Sequence, residues 1–224
     1  MGKEGIVKKQ EDNSFLNDNL SDASRTILFE DIANAPSEKS FGPGEERRAE
    51  ARQVPDPAAL AAMLSAREAR WQKRMELAEK SPSLISATLC VPLPHRTRPE
   101  AKILLEEELS RIRAGLEAEG LEPGRPDSLD GADGPAVFLP CGGEAKAVKR
   151  FCVRQEETRP RGRILDLDVT AQGGVPIGRA ELDLPPRRCF LCGRPAAECV
   201  AAARHSPEEV AAFVNGLWAP AEQV

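Results

Sequence analysis

The stretch Gly162-Arg-Ile-Leu-Asp-Leu-Asp-Val169 predicts a half-buried β-strand that carries two carboxylates on one face. Side chains alternate between the two faces of a strand, so Asp166 and Asp168 point one way while the leucines beside them point the other. Two such positions lie about 6.6 Å apart along the strand, which lets both carboxylates reach one hard cation. Mg²⁺ is commonly held by one or two carboxylates together with substrate phosphates. The pair therefore indicates either a phosphoryl- or nucleotidyl-transfer site with Mg²⁺ or a strand with a solvated acidic face.

Arginines surround this strand in the sequence. Between Arg159 and His205 there are eight arginines and five acidic residues, a net charge of +3, although the whole chain carries −5. Guanidinium groups near paired carboxylates suit a polyanionic ligand that binds with a metal. Arginines scattered over a surface are the alternative. The negative charge of the whole chain argues against general nucleic-acid binding.

The elements around the acidic strand predict an α+β fold, in which a small mixed β-sheet packs with helices and the acidic strand is central. Apolar residues at helical spacing predict helices over 57–80 and 99–119 and favour one over 144–157. Short apolar runs predict strands over 84–91 and 135–141, and a turn at 172–174 leads to a strand that ends near Arg179. An apolar stripe from Val210 to Trp218 predicts a helix that packs on the core.

The amino-acid composition indicates how the rest of the chain is divided into domains. Residues 1–57 are rich in Asn, Ser, Asp and Glu, which predicts a disordered or loosely docked extension with at most a short element over 24–33. Residues 58–224 then form one domain. No apolar run approaches the ~20 residues that cross a bilayer, and the charged N-terminal residues lack a signal-peptide core. We therefore expect a cytoplasmic protein without membrane contacts, whose six cysteines are reduced or metal-bound.

The C-terminal tail is Cys-rich and helical. Cys189 and Cys192 form a Cys-x2-Cys pair, and Cys199 and His205 follow, which together make a permitted ligand set for structural Zn²⁺. Six residues correspond to about 240° around a helix, so one continuous helix could not present both Cys199 and His205. A capping box at Ser206 predicts that a new helix begins there and leaves the direction of His205 free. The cluster is therefore either a zinc site or a set of reduced thiols in a small core.

Together these motifs resemble the citrate lyase holo-acyl-carrier-protein synthase family. The resemblance runs from about residue 58 to the C-terminus. Its strongest parts are Gly162 to Val169, Pro185-Pro-Arg-Arg-Cys-Phe-Leu-Cys192, Ala196-Ala197, Cys199 and His205-Ser206. Two further segments match more weakly: Arg67-Glu-Ala-Arg70 is similar to the family's Arg-Asp-x-Arg helix, and Pro92-Leu-Pro-His-Arg96 stands where the family has Pro-Gly-Pro-x-Lys.

The resemblance implies a nucleotidyltransferase-like fold and a nucleotidyltransferase activity. The enzyme would transfer 2′-(5″-phosphoribosyl)-3′-dephospho-CoA from its triphosphoribosyl precursor to a serine of the apo acyl carrier subunit of citrate lyase, and diphosphate would leave. Asp166 and Asp168 would be catalytic and would hold Mg²⁺. The candidates for binding substrate phosphates are Arg163, Arg179, Arg187, Arg188 and Lys149. Two alternatives stay open: a holo-acyl-carrier-protein synthase for malonate decarboxylase, and a non-catalytic zinc-binding interaction module.

Overall fold

The computed structural model describes residues 56–218, so nearly all of the predicted extension over 1–57, including the element over 24–33, lies outside the described residues. The described chain forms six α-helices and a five-stranded sheet. The helices are α1 (Pro57–Ala78), α2 (Leu93–Arg96), α3 (Pro99–Ala118), α4 (Ala145–Thr158), α5 (Ala196–Ala201) and α6 (Pro207–Leu217). The strands are β1 (Ser83–Leu89), β2 (Asp127–Gly131), β3 (Gly134–Cys141), β4 (Leu165–Ala171) and β5 (Val175–Ile177). The predicted α+β class is thus confirmed.

The sheet has the order β2-β3-β1-β4-β5, and every neighbouring pair is antiparallel. The predicted mixed sheet is therefore wrong in this detail. Each long helical connection joins two strands that have a third strand between them: α3 leads from β1 to β2 around β3, and α4 leads from β3 to β4 around β1. Parallel strands are consequently never neighbours. The acidic strand β4 is interior but second from the edge, and β1 is the central strand.

Strand β1 is covered on both faces, and six of its seven residues are buried. On one face, Ile85 and Leu89 belong to the main core, which α3, α4 and α6 complete with residues such as Phe151 and Val214. On the other face, Leu84 packs with Phe138 and with Ala78 of α1. Because successive side chains alternate, the acidic residues of β4 share the face on which α1 packs.

The sequence did not predict β2, whose five residues are Asp-Ser-Leu-Asp-Gly. This edge strand has no apolar alternation, and pairing with β3 together with ion pairs to two helices holds it in place. Lys73 of α1 lies 2.5 Å from Asp127, and Lys102 of α3 lies 2.6 Å from Asp130. Tertiary contacts rather than local propensity therefore fix this strand.

The C-terminal helix α6 begins with the predicted capping box. The hydroxyl of Ser206 accepts a hydrogen bond from the backbone N–H of Glu209, and the carboxylate of Glu209 accepts one from the backbone N–H of Ser206. Val214 is fully buried in the main core, and the rest of the apolar stripe packs against it, as predicted. Over residues 56–218, helix length and apolarity nowhere reach what a membrane span requires.

Candidate functional site

Asp166 and Asp168 project from the same face of β4, as the sequence predicts. Leu165, Leu167 and Val169 are buried on the opposite face. The side chains of Asp166 and Asp168 keep 21% and 27% of their surface exposed, respectively. The pair is therefore anchored by a buried strand and remains open to a ligand.

Two arginines flank the carboxylates from different parts of the chain. Arg187, in the segment that precedes the cysteine cluster, places Nη1 3.6 Å from Oδ1 of Asp166. Arg74 of α1 places Nη2 3.6 Å from Oδ2 of Asp168. Both distances exceed normal hydrogen-bond length, so these are loose ion pairs that leave the carboxylate oxygens accessible to a cation.

The environment of Asp166 disfavours its charged form. Burial raises the pKa of Asp166 to about 6, and the neighbouring charge of Asp168 adds to the rise, while Arg187 opposes it. Two carboxylates on one half-buried face repel each other when no cation lies between them. A bound divalent cation would relieve this repulsion, so the electrostatics of the pair fit a metal site.

Unpaired polar atoms lie around the carboxylates. In the antiparallel register, Ser86 of β1 stands directly opposite Asp168. Its hydroxyl is buried and has no hydrogen-bond partner among the described residues, and the same holds for Nε of Arg74. Buried polar groups are normally satisfied by protein or by ordered ligands and water. The arrangement therefore fits a polar ligand that completes the site.

An arginine row on α1 also belongs to the site and was not among the predicted site residues. Arg67 and Arg70 pair with the buried Asp133 between β2 and β3, and Arg74 continues the row at helical spacing to Asp168. Burial and nearby arginines, including Arg96, lower the pKa of Arg70, against the attraction of Asp133. Positive charge is thus concentrated beside the acidic pair. The signal in the sequence was three arginines at i, i+3 and i+7 on one helix face.

Lys149 and Arg179, two of the predicted phosphate ligands, lie in a buried ionic network at the free edge of β4. Strand β5 pairs only with the end of β4. At Leu167 the backbone C=O accepts a hydrogen bond from Nζ of Lys149 at 2.8 Å, and the backbone N–H donates to Glu156 at 2.9 Å. Arg179 lies 2.9 Å from the same Glu156 carboxylate. Lys149 and Glu156 thus bond the backbone groups of Leu167 that a longer neighbouring strand would otherwise bond.

The structure places the other three predicted phosphate ligands next to one another. Arg187 donates to the backbone C=O groups of Arg163 and Leu165, at 2.8 Å and 2.6 Å. Arg163 in turn donates to the backbone C=O of Arg188 at 2.6 Å, and the side chain of Arg188 is exposed. Among the predicted phosphate ligands, Arg187 is thus the one whose guanidinium borders the carboxylate pair.

The cysteine cluster assembles as a compact set of possible metal ligands. The ligand atoms of Cys189, Cys192, Cys199 and His205 all lie within 4.8 Å of one another. Sγ of Cys189 is 3.4 Å from Nε2 of His205, and Sγ of Cys192 is 3.4 Å from Sγ of Cys199. Four ligands around a tetrahedral zinc at about 2.3 Å would be separated by roughly 3.8 Å. The cluster could therefore hold a metal ion.

Local structure explains how four separated residues meet. Cys189 and Cys192 belong to a tight turn in which Gly193 adopts φ +73° and donates to the backbone C=O of Cys189. Cys199 lies on α5, and His205 directly precedes the cap of α6, at the break that the sequence predicted.

The surroundings of the cluster shift the pKa values of two of its thiols. A hydrogen bond from the backbone of Arg194 and contacts with the other cluster side chains lower the pKa of Cys192 to about 7. Burial raises the pKa of Cys199 to about 11. The thiolate is the form that binds metal, and Cys192 is the member of this pair with the larger thiolate fraction near neutral pH.

Comparison with known proteins shows the relationship directly. The family described as "Apo-citrate lyase phosphoribosyl-dephospho-CoA transferase" matches residues 58–219, which is most of the chain. Proteins of the same name from Escherichia coli O1:K1, Escherichia coli O157:H7 and Shigella boydii serotype 18 are each 29% identical over 140 residues, covering 62% of this chain and 74% of theirs. The matched region contains the carboxylate pair, both flanking arginines and the cysteine cluster. The chain belongs to the apo-citrate lyase phosphoribosyl-dephospho-CoA transferase family.

Proposed function

We propose that this protein transfers the 2′-(5″-phosphoribosyl)-3′-dephospho-CoA group from its triphosphoribosyl precursor to a serine of the apo acyl carrier subunit of citrate lyase. The observation that carries the proposal is the Asp166–Asp168 pair on β4, flanked by Arg187 and Arg74, in a chain of this family. An acidic pair between arginines is suited to a metal-bound polyphosphate. The name of the relatives gives phosphoribosyl-dephospho-CoA as the transferred group and apo-citrate lyase as its acceptor.

The reaction is a displacement at phosphorus. The serine oxygen of the carrier forms a bond to the phosphorus that is attached to the ribose, the bond from that phosphorus to the diphosphate breaks, and the serine proton is released. Negative charge grows on the diphosphate as it departs. Fixed positive groups that face this charge lower the barrier, because they need no reorganisation during the reaction.

Asp166 and Asp168 are the proposed ligands for Mg²⁺, which when bound supplies charge neutralisation at the phosphate oxygens. The fit rests on three features of the site: two like charges on one face, loose ion pairs at 3.6 Å, and the unpaired hydroxyl of Ser86 opposite Asp168.

The proposed phosphate ligands differ in how directly they can act. Arg187 and Arg74 border the carboxylates and are best placed to contact the phosphates, with Arg70 beyond Arg74 along α1. Lys149 and Arg179 are bonded to the strand edge and to Glu156. Their contribution to phosphate binding is then expected to act through the position of β4.

We further propose that the cysteine cluster binds Zn²⁺ rather than a redox metal. Three thiolates and one imidazole form a closed structural zinc set, with no position left for a substrate. The spacing of the four ligand atoms and the break before α6 support this assignment.

The test mixes the full chain with an apo citrate lyase acyl carrier, the triphosphoribosyl precursor and Mg²⁺, and follows the carrier by intact-mass spectrometry. We expect the carrier to gain the phosphoribosyl-dephospho-CoA group. Asp166→Asn and Asp168→Asn should each reduce the rate by at least about 10²-fold, because each removes a carboxylate that would hold Mg²⁺ against the developing negative charge. Glu106→Gln, which neutralises an exposed carboxylate on α3, is the matched control and should retain full activity.

The alternatives make different predictions in the same assay. A malonate decarboxylase synthase would modify an apo carrier of malonate decarboxylase in preference to that of citrate lyase. A non-catalytic zinc module would leave every carrier at its starting mass, and its Asp166→Asn variant would behave like the parent protein. Absence of added mass on the citrate lyase carrier would refute the proposed function.

A further inference from the structure

The metal cluster and the carboxylate site are joined by a very short piece of chain. Arg187 and Arg188 directly precede Cys189, the first cluster ligand. The backbone C=O of Arg187 accepts a hydrogen bond from the N–H of Ala196 at 2.8 Å, and Arg188 forms an isolated β-bridge with Pro195. The backbone of Arg187 is thus part of the same turn structure that gathers the cysteines.

The side chain of Arg187 leaves this turn and reaches the acidic strand. It donates to the backbone C=O groups of Arg163 and Leu165, and it lies 3.6 Å from Asp166 and 3.7 Å from Glu156. One residue therefore has its backbone in the cysteine turn and its guanidinium against β4. Any displacement of the turn would move the guanidinium relative to Asp166.

The cysteine turn has few apolar contacts of its own. Most residues between Asp183 and Ser206 are exposed or half-buried, and the buried ones include the ligands Cys189 and Cys199. Its clearest apolar anchor is the stack of Phe190 on Phe213 of α6, with ring centroids 4.8 Å apart. A segment with so little core depends on a crosslink to hold one conformation.

We propose that Zn²⁺ bound by Cys189, Cys192, Cys199 and His205 acts as a clamp that positions Arg187 beside Asp166. Among the described residues, no hydrogen bond or ion pair joins the four cluster ligands to Asp166 or Asp168, so Arg187 is the group through which the metal would affect the transfer. The effect on transfer rests on the proposed function, whereas the effect on the position of Arg187 does not. Misplacing a positioned group by about 1 Å can reduce a rate by roughly 10²-fold, so loss of the metal should be visible in the kinetics.

The first measurement is metal content. The full chain, purified with added Zn²⁺ and freed of excess, should contain one zinc per chain by elemental mass spectrometry. Cys192→Ser removes an exposed ligand thiol and should lose the zinc, whereas Cys152→Ala removes a core thiol outside the cluster and should keep it. Zinc that is absent from the parent protein under these conditions, or that is retained in full by Cys192→Ser, would overturn the proposal.

The second measurement reports the position of Arg187 without any activity. Hydrogen exchange should rise at least about tenfold in the segment 163–167 when zinc is removed from the parent protein or in Cys192→Ser. The carbonyl groups of Arg163 and Leu165 then lose the Arg187 bonds that hold this segment in place, so its amides open more often. The segment 135–139 of β3 should keep its protection, which excludes general unfolding. Unchanged exchange at 163–167 after complete zinc loss would show that the cluster does not position Arg187.

The third measurement uses the transfer assay as a double-mutant cycle. Arg187→Ala and Cys192→Ser should each lower kcat, and the double variant should be no slower than the slower single variant, since both act through one guanidinium. A cluster that only stabilises the fold would give multiplicative losses. If no variant and no parent protein modifies the carrier, the proposed function fails, while zinc content and hydrogen exchange still decide whether the clamp exists.

Discussion

Asp166→Asn is expected to stabilise the magnesium-free protein although it slows the proposed transfer. Burial and the charge of Asp168 raise the pKa of Asp166 to about 6 from its ordinary value of 3.8. The folded carboxyl therefore keeps its proton to a higher pH than the unfolded one. As the pH rises from about 4, ionisation favours the unfolded state, and the cost stops growing above about pH 7.

The size of the effect follows from the two pKa values. At about 1.4 kcal/mol per pH unit, a rise from 3.8 to about 6 costs the folded state roughly 3 kcal/mol at pH 7.5 and roughly 1.5 kcal/mol at pH 5. Asparagine has no charge at either pH and removes this cost. The variant should thus gain up to about 3 kcal/mol in the free energy of unfolding at pH 7.5, and about half of that at pH 5.

The assay is urea unfolding at both pH values, in buffers passed over a resin that removes Mg²⁺ but with the cysteine cluster loaded with zinc. Chelators in solution are avoided because they would compete for that zinc. Glu106→Gln, which removes an exposed charge, should stay within about 0.5 kcal/mol of the parent protein. Adding Mg²⁺ should stabilise the parent and not the Asp166→Asn variant. A less stable Asp166→Asn protein at pH 7.5 would refute the reasoning, because the attraction of Arg187 would then outweigh desolvation.

Three further predictions concern the framework around the site and are tested by urea unfolding. Glu156→Ala should lower the free energy of unfolding by about 3–5 kcal/mol, because it leaves buried charges and a strand N–H unpaired. The control Glu157→Ala removes an exposed ion pair and should cost less than about 1 kcal/mol. Equal costs for the two variants would contradict the buried network. Gly162→Ala should destabilise by at least about 1–3 kcal/mol, since its Cβ would collide with the backbone C=O of Gln155. Gly216→Ala, with open space around its Cβ on α6, should stabilise by roughly 0.5–1 kcal/mol; a loss there would show that the helix end is strained.

The sequence predicted the features of this fold that depend on local pattern. Alternation along 162–169 placed both carboxylates on one face, helical spacing found the long helices, and the capping box at Ser206 explained how His205 turns toward the cysteines. Each of these depends on neighbours a few residues away. Hydrophobic periodicity and helix-capping residues are encoded within that short range of sequence.

The missed features depend on contacts between distant parts of the chain. Strand β2 is polar, and its place depends on β3 and on ion pairs to two helices. The antiparallel order depends on how the helical connections pass over intervening strands. Arg74 enters the site because α1 packs across the acidic face, and Lys149 turns to the strand edge because β5 is short. The spacing of residues in a single sequence does not show which helices and strands pack together in the fold.

The free edge of β4 has a consequence for association with other chains. An unpaired strand edge is a template on which a second strand can be added, and such addition leads to aggregation. Along this edge the hydrogen-bonding groups of Leu165 and Leu167 are already occupied by Arg187, Glu156 and Lys149. A segment of another protein therefore finds no free backbone partner at Leu165 or Leu167, and strand addition is blocked along this part of the edge. For the proposed transfer, the carrier serine would then approach along the face of β4 that carries the two carboxylates, beside α1.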